Sequence, residues 1–156
     1  MSDQIIIRKY TSSDQESILE MLRLNTPAYF APEERNDLIN YLNNHSENYF
    51  VVEYGKAIVS CGGFNYSDEK GVIRISWDMV DPQYQGMGFG SRLTAFRIEM
   101  IKLLPNVKRI SVRTSQLAYK YYERFGFVLE EGNCRQRCRC AWGRPRLARW
   151  PNASHR

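Results

Sequence analysis

The chain has 156 residues, enough for one domain with a substantial core but not comfortably for two. Its 43% hydrophobic and 25% charged residues are typical of a globular protein, and no stretch has the length and apolarity of a membrane span. The opening MSDQIIIRKY lacks the basic and apolar regions of a secretory signal, so cytoplasmic residence is the default expectation.

The net charge of +5 is distributed unevenly along the chain. Residues 1–133 contain fifteen Lys and Arg against all seventeen acidic residues, whereas residues 134–156 contain seven Arg, no Lys and no acid. That tail also holds three of the four cysteines and two of the three tryptophans. The compositional break predicts one globular domain over residues 1–133 and a separate tail over residues 134–156.

The first part of the chain predicts a strand and two helices. The strand covers residues 5–7, and Ser13 with Glu16 fits a capping box that opens the first helix. Pro32 suits the first position of the second helix. The apolar positions of the first helix are Ile18, Met21, Leu22 and Leu24. The buried side of the second helix is expected to consist of Leu38, Ile39 and Leu42.

The hydrophobic period then changes to that of strands. Residues 49–53 and 57–61 predict a hairpin, and a turn at residues 67–71 leads into a further strand ending at Val80. Asp78 interrupts the apolar pattern of that strand and, by alternation, shares a face with Ser76 and Val80. It is a candidate general base or an anchor for a cationic amine, and equally a carboxylate that caps a turn or pairs with an arginine.

A glycine-spaced turn, residues 85–90, joins this strand to a helix. Such a turn directs backbone N–H groups and the positive end of the helix dipole at one point, which favours an anion and most often a phosphate. Ser91 and Arg92 follow the last glycine, so the lysine of a P-loop is missing. The G-x-G-x-G spacing, with no acidic residue about twenty positions on, also argues against a dinucleotide fold. The apolar positions expected to be buried in the helix are Leu93, Phe96, Met100, Ile101, Leu103 and Leu104.

Three elements are predicted after this helix. Arg109–Thr114 alternates as a fifth strand, a helix from Gln116 ends at Gly126 in a left-handed cap, and residues 127–129 begin a sixth strand.

Two motifs together resemble the GNAT superfamily of acetyl-CoA-dependent N-acetyltransferases. The first is Q-x-x-G-x-G, carried by Gln85, Gly88 and Gly90. The second is SQLAYKYYERFGF at residues 115–127, which is similar to the family's N-x-x-A-x-x-ϕ-Y-E-K-x-G-F, with Ser115 in place of the usual asparagine. The order and spacing of the motifs agree over residues 5–132. The resemblance implies an α/β fold of the α+β kind, a mixed and largely antiparallel sheet of six to seven strands flanked by about four helices.

The resemblance also implies acetyl-CoA as co-substrate and a set of site residues. Tyr122 falls on the motif's tyrosine, the family's usual general acid toward the departing thiolate, although a tyrosine packed between helix and sheet is the alternative. The residues expected to bind the cofactor are Met79, Val80, Gln85, Gly86, Met87, Gly88, Phe89, Gly90, Ser91 and Ser115. The acceptor is expected to be a small-molecule or peptide amine, in a pocket walled by Tyr29, Phe30 and Glu33, and a homodimer is compatible with the sequence.

Two other functions stay open at this point. A non-catalytic acetyl-CoA sensor would keep the glycine turn but would tolerate loss of Tyr122. A nucleic-acid-binding module would act through the basic tail, which nevertheless lacks a recognisable reading element.

The tail itself does not match a metal or disulfide framework. Its C-x₃-C-x-C spacing with a distant His155 fits no common zinc site, and disulfides are not expected without an export signal. The loss of lysine and of hydrophobic alternation predicts a foreign, irregular terminus that replaces a final strand, and a genuine basic arm is the alternative.

Overall fold

The computed structural model describes residues 3–114, 119–131 and 138–143. Within these ranges the chain forms seven strands and four α-helices. The strands are β1 (Ile5–Lys9), β2 (Tyr49–Tyr54), β3 (Ala57–Tyr66), β4 (Val72–Val80), β5 (Arg109–Thr114), β6 (Val128–Glu131) and β7 (Cys138–Gly143). The helices are α1 (Gln15–Leu24), α2 (Glu34–Asn44), α3 (Phe89–Lys102) and α4 (Tyr119–Glu123).

The strands form one sheet in the order β1-β2-β3-β4-β5-β7-β6. β1 pairs with β2, β2 with β3, and β7 with both β5 and β6, all antiparallel. β4 and β5 pair in parallel, from Val72 opposite Arg109 to Ile75 opposite Val112. The predicted mixed, largely antiparallel sheet with about four helices is therefore confirmed.

Contacts within the chain define two compact units. The first comprises the chain up to Gly63 together with Trp77–Thr94, and the second comprises Phe64–Ser76 and the chain from Ala95 onward. The boundaries fall inside β3, β4 and α3 and not at linkers.

The first unit is built on the apolar faces of α1 and α2. Both helices carry apolar residues at three- and four-residue spacing, which places those side chains on one stripe. The buried cluster consists of Ile18, Met21, Leu22, Leu38, Tyr41, Leu42, Tyr49, Val51, Cys61 and Met79. Leu24, at the last position of α1, is 42% exposed and is not part of this cluster.

The helix α1 begins after a different cap from the predicted one. A 3₁₀ turn over Ser12–Asp14 precedes it, and Asp14 Oδ2 accepts a hydrogen bond from the Thr11 N–H at 2.8 Å. The carboxylate of Asp14 also receives two hydrogen bonds from Arg8, each at 2.8 Å. The predicted Ser13–Glu16 box is replaced because Arg8 holds Asp14 at this position, and Arg8 also binds Glu53 on β2.

The second unit contains its own set of buried apolar side chains. These are Phe64, Val72, Ile73, Ile75, Ile98, Ile101, Ile110, Val112, Tyr122, Phe125 and Phe127. The prediction that Leu103 is buried is wrong, since α3 ends at Lys102 and Leu103 is 87% exposed in the turn that follows.

Residues 138–143 of the predicted tail lie inside the sheet. β7 pairs with β5 along its whole length, from Cys138 opposite Thr114 to Gly143 opposite Arg109, and with β6 on its other side. The expectation of an irregular segment is therefore wrong for these six residues. The cause is that the Arg- and Cys-rich composition of the whole tail conceals a short alternating stretch, CRCAWG. Residues 134–137 and 144–156 lie outside the described ranges.

Candidate active site

The chain enters the glycine turn through a short 3₁₀ turn. β4 ends at Val80, and Pro82–Tyr84 forms the 3₁₀ turn, with proline at a position where its missing N–H is not needed. Asp81 Oδ1 accepts a hydrogen bond from the Gln83 N–H at 2.9 Å. This bond fixes the direction in which the chain leaves the strand.

The two glycines at the centre of the turn have left-handed backbones. Gly86 has a φ of 81° and Gly88 a φ of 85°, values that cost glycine little but other residues about 1–2 kcal/mol. A Cβ added at either position would have no heavy atom within 4 Å. Gln85 and Met87 are exposed. The turn therefore presents bare backbone to open space, which is what close approach of a bulky phosphate group requires.

The first turn of α3 supplies N–H groups directly after these glycines. The Arg92 N–H donates to the Gly88 carbonyl at 3.0 Å, and the N–H groups that precede Arg92 have no carbonyl four residues earlier inside the helix. The Thr94 hydroxyl donates to the Gly90 carbonyl at 2.9 Å. This hydrogen bond uses a carbonyl and therefore occupies none of the N–H groups at the start of the helix. The positive end of the α3 dipole thus coincides with the predicted anion position.

Phe89 fixes the start of α3. Its ring lies 5.1 Å from the Tyr54 ring and 6.2 Å from the Tyr84 ring, and the side chain is only 3% exposed. Phe89 was predicted to bind the cofactor, and its burial restricts that role to its main chain. The side chain instead secures the helix to the hairpin turn.

The end of β4 is held on one side by β3 and on the other by Asn25. The Asp81 N–H donates to the Val59 carbonyl of β3 at 2.9 Å. Because consecutive residues of a strand direct their peptide groups to opposite sides, the Val80 N–H points away from β3. The Val80 carbonyl accepts a hydrogen bond from Asn25 Nδ2 at 3.0 Å. The Met79 carbonyl, by contrast, is bonded by the Ser60 hydroxyl of β3 at 2.9 Å.

Trp77 interrupts the regular geometry of β4. Its φ is 53°, a left-handed value that is rare for a residue with a large side chain. The phenol of Tyr49, which is fully buried, donates to the Trp77 carbonyl at 2.9 Å. Burial raises the pKa of the Tyr49 phenol well above its ordinary value, with the neighbouring Cys61 as the next cause, so the phenol stays a donor at neutral pH.

Asp78 follows this irregular residue and is half-buried. Asp78 is among the causes of the raised pKa of Tyr49, after burial and the neighbouring Cys61 and Tyr41. The alternation used to predict a shared face with Ser76 cannot be carried through a left-handed Trp77. Asp78 directly follows the residue whose carbonyl accepts the Tyr49 hydrogen bond, and its role as base or anchor stays a prediction.

The predicted pocket residues lie in the connection between α1 and α2. Phe30 is half-buried and stacks on Trp77, with ring centroids 5.9 Å apart and planes at 14°. Tyr29 is 41% exposed and Glu33 is exposed. The Tyr41 ring contacts Trp77 at 6.3 Å. Of the three predicted residues, Phe30 is the one whose contacts join it to β4.

Tyr122 lies in the second unit, on α4. It is 4% exposed, and its ring contacts Phe127 at 5.6 Å and Tyr121 at 5.0 Å. The helix ends as predicted, because Gly126 has a φ of 92° and the Phe127 N–H reaches back to the Tyr122 carbonyl at 3.3 Å. The role of Tyr122 as an acid stays a prediction, and Ser115 lies outside the described residues.

Three residues that shape this region were missed by the sequence reasoning. From the sequence alone, none of Asn25, Tyr49 and Trp77 is given a role in the site. Each acts through a contact with a residue distant in the sequence, and no local pattern signals such a contact. The break of helical periodicity at Asn25 was the one available hint.

Two searches for other kinds of site gave negative results over the described residues. No group of three or more His, Cys, Asp or Glu side chains in them has the arrangement of a metal site. None of their helices combines the length and apolarity needed to cross a membrane.

Comparison with known proteins identifies a family and a fold. The sequence profile of the acetyltransferase (GNAT) family matches residues 16–127. No curated protein gives a significant sequence match. N-acetylglutamate synthase from Neisseria gonorrhoeae, complexed with coenzyme A and N-acetyl-glutamate, superposes with a TM-score of 0.71 at 20% identity, over 90% of this chain and 35% of the synthase. This chain therefore spans about a third of that enzyme.

Two solved structures match over nearly their full length. The PaiA N-acetyltransferase from Thermoplasma acidophilum, in complex with coenzyme A, has a TM-score of 0.70 at 12% identity, over 90% of this chain and 99% of its own. An acetyltransferase of the GNAT family from Staphylococcus aureus Mu50 has a TM-score of 0.73 at 19% identity, over 90% and 99% of the two chains. At such identities the likeness shows a shared fold.

Proposed function

Because the chain belongs to the acetyltransferase (GNAT) family, we propose that it is an N-acetyltransferase that moves an acetyl group from acetyl-CoA to a primary amine. The amine attacks directly, in a complex that contains both substrates. The observation that carries the proposal is the turn between β4 and α3, with its two left-handed glycines facing open space.

The turn fits the pyrophosphate of coenzyme A. A Cβ at Gly86 or Gly88 would occupy the space proposed for the phosphates, and α3 begins at the next residue, Phe89, so that the positive end of its dipole lies at the turn. Acetyl-CoA supplies an activated acetyl group as a thioester. The residues of the chain must then bind and orient this thioester, accept a proton from the amine and donate a proton to the departing sulfur.

Main-chain groups at the end of β4 are proposed to orient the thioester. Of the two predicted N–H donors, that of Val80 points away from β3, whereas Met79 is engaged with β3 through its carbonyl. We assign the Val80 N–H to the thioester carbonyl oxygen, where a fixed donor stabilises the negative charge that develops during attack. The Ser60 hydroxyl fixes the peptide group that carries this N–H through the Met79 carbonyl, and Asn25 fixes the next peptide group through the Val80 carbonyl.

Two side chains are proposed to move the protons. An amine that arrives as ammonium must lose one proton to become a nucleophile, and its nitrogen loses a second proton as the amide forms. Asp78 is assigned as the base, directly or through water, or as the anchor of the ammonium form. As the carbon–sulfur bond breaks, the sulfur gains a proton, and Tyr122 is assigned as its donor. A phenol suits this task because it is protonated at neutral pH and its ordinary pKa lies close enough to that of a thiol for the proton to transfer as the sulfur departs. The acceptor is a small-molecule or peptide amine that enters beside Tyr29, Phe30 and Glu33.

Binding and turnover are tested separately. Acetyl-CoA at one hundred times its Kd should stabilise the folded chain by about 2.7 kcal/mol, because it binds only that state. For a chain of this size that corresponds to a rise in Tm of roughly 5–11 °C. Thiol release from acetyl-CoA is then measured across polyamines, amino acids, aminoglycosides and peptide N-termini. The absence of any Tm shift at millimolar acetyl-CoA contradicts the proposal, and a shift without thiol release for any amine supports the sensor alternative.

A further inference from the structure

We propose that Phe30 and Trp77 form an aromatic wall that selects acceptor amines carrying an aromatic ring, so that the preferred substrates are arylalkylamines. This inference rests on the proposed acetyltransferase function. It concerns the chemical group that carries the acceptor amine, which is selected by side chains particular to this protein.

The wall lies beside the proposed acetyl position. Trp77 precedes Met79 by two residues and Val80 by three, which corresponds to about 7–10 Å along a strand. Phe30 comes from the α1–α2 connection, and the first residue of that connection, Asn25, bonds the Val80 carbonyl at 3.0 Å. The strand end and the connection are therefore tied together at the same place.

The two rings pack against the core but are only partly buried. Both are half-buried and lie against the apolar cluster of the first unit, although large aromatic side chains usually gain most from complete burial. Their planes are within 14° of parallel at a centroid distance of 5.9 Å, the geometry of an offset stack. A flat ring from a ligand can extend such a stack with little loss of side-chain entropy, since the two rings already order each other.

The backbone of Trp77 is held in a conformation that it would not adopt by itself. The left-handed φ of 53° is maintained by the Tyr49 phenol on the Trp77 carbonyl, while the Tyr41 ring contacts the indole. Strained residues that the surrounding structure enforces are concentrated at sites of function. Here the enforced conformation fixes the orientation of the indole next to Phe30, and the following residue in the chain is Asp78, the candidate group for the amine.

The geometry favours an aromatic amine over a polyamine. A polyamine needs several separated anionic partners. The acidic residues assigned to the acceptor site are Asp78 and Glu33, whereas the Trp77 ring contacts the rings of both Phe30 and Tyr41. A ring attached two or three bonds from the nitrogen would meet the wall while the nitrogen reaches the end of β4. Tyr49 is therefore a positioning residue, because its hydrogen bond to the Trp77 carbonyl fixes the backbone that carries the indole.

The test compares 2-phenylethylamine, propylamine and spermidine as acceptors at saturating acetyl-CoA. We expect kcat/KM for 2-phenylethylamine to exceed that for propylamine by at least about 10-fold, as for one well-placed apolar group. Phe30→Leu keeps apolar volume but removes the flat ring, and should reduce this ratio about 5-fold or more, mainly through KM. Phe30→Tyr should retain the ratio, and Tyr66→Leu, which removes a ring that is 65% exposed elsewhere, should leave it unchanged.

The outcomes separate this inference from the proposed function. A preference for spermidine or propylamine, or an equal loss for all amines in Phe30→Leu with an unchanged Tm, overturns the aromatic wall and leaves acetyl transfer intact. A variant that fails to fold is recognised by its Tm, and Phe30→Met then replaces it. If the unaltered chain releases no thiol with any amine, both the proposed function and the aromatic wall are overturned.

Discussion

Replacing Asn25 by leucine should destabilise the chain much more than an isolated polar-to-apolar change. The Asn25 amide is 4% exposed and donates two hydrogen bonds, to the Met21 carbonyl at 2.8 Å and to the Val80 carbonyl at 3.0 Å. Leucine has a similar size, so the change removes donors without leaving a large cavity. The Met21 carbonyl keeps the Asn25 N–H at 3.1 Å, whereas the Val80 carbonyl loses the amide as its donor.

The magnitude follows from these contacts. Two hydrogen bonds contribute about 1 kcal/mol each, and a carbonyl left without its donor adds about 1 kcal/mol, toward the low end because Val80 is half-buried. The expected loss is therefore about 2–3 kcal/mol, which lowers the Tm of a chain of this size by roughly 4–12 °C. Urea unfolding followed by tryptophan fluorescence should show a lower midpoint with an unchanged m-value.

The chain offers a matched control for this substitution. Asn44 also donates two amide hydrogen bonds, to the Asn40 carbonyl at 3.0 Å and to the Asn40 side chain at 2.9 Å, but it is exposed on α2. Asn44→Leu should change the unfolding free energy by less than about 0.5 kcal/mol. If Asn25→Leu falls in the same range, the amide does not hold the end of β4 and the reasoning is refuted.

Three further predictions concern the turn, the candidate acid and one buried ion pair. Gly88→Ala should weaken acetyl-CoA binding about 10-fold or more, measured by calorimetry, while destabilising the free chain by only about 1–2 kcal/mol through its left-handed φ. Tyr122→Phe should lower kcat by a factor on the order of 10² with acetyl-CoA affinity little changed, in a pre-steady-state assay that isolates the chemical step. Asp14→Asn should cost about 2 kcal/mol at pH 7, because hydrogen bonds from Arg8 hold the pKa of Asp14 below its ordinary value. A lowered pKa stabilises the fold above the unfolded-state value near 4 and loses that contribution as pH falls through the folded-state value, so the difference between wild type and variant should vanish in acid.

Each of these has a control in the same chain. Gly55 is also left-handed, with a φ of 63°, but lies in the β2–β3 turn, so Gly55→Ala should cost similar stability and leave acetyl-CoA binding intact. Tyr121→Phe should retain turnover. Glu20→Gln removes an exposed partner of Arg23 and should change the pH dependence of unfolding much less than Asp14→Asn, because solvent screens this ion pair. Equal effects of a test variant and its control would contradict the role assigned to Gly88, Tyr122 or Asp14.

Local patterns in the sequence predicted the parts of this fold that depend on neighbouring residues. The glycine turn, the strand Arg109–Thr114 and the left-handed cap at Gly126 each follow from residue types within a few positions of one another. Their conformations are set by φ preferences and hydrophobic period, which the sequence displays directly.

What could not be predicted depends on contacts between distant residues. Asn25 meets Val80 across 55 positions, and Tyr49 meets Trp77 across 28. The left-handed φ of Trp77 opposes its own backbone preference and persists because of that second contact. β7 was not predicted because the cysteine- and arginine-rich stretch shows only a weak strand pattern by itself. It forms a strand because it pairs with β5 on one side and β6 on the other.

The position of β7 has a consequence for how the chain is made. The strand formed by residues 138–143 is the last in the described sequence, yet it lies between β5 and β6 and pairs with both. During synthesis, β5 and β6 leave the ribosome before the strand that joins them, and until then each exposes an unpaired edge. The second unit therefore cannot close its sheet vectorially, one strand after another. The second unit can complete its folding only after residue 143 has been synthesised. Until then, dilution or a chaperone has to prevent the unpaired edges of β5 and β6 from forming incorrect strand pairs.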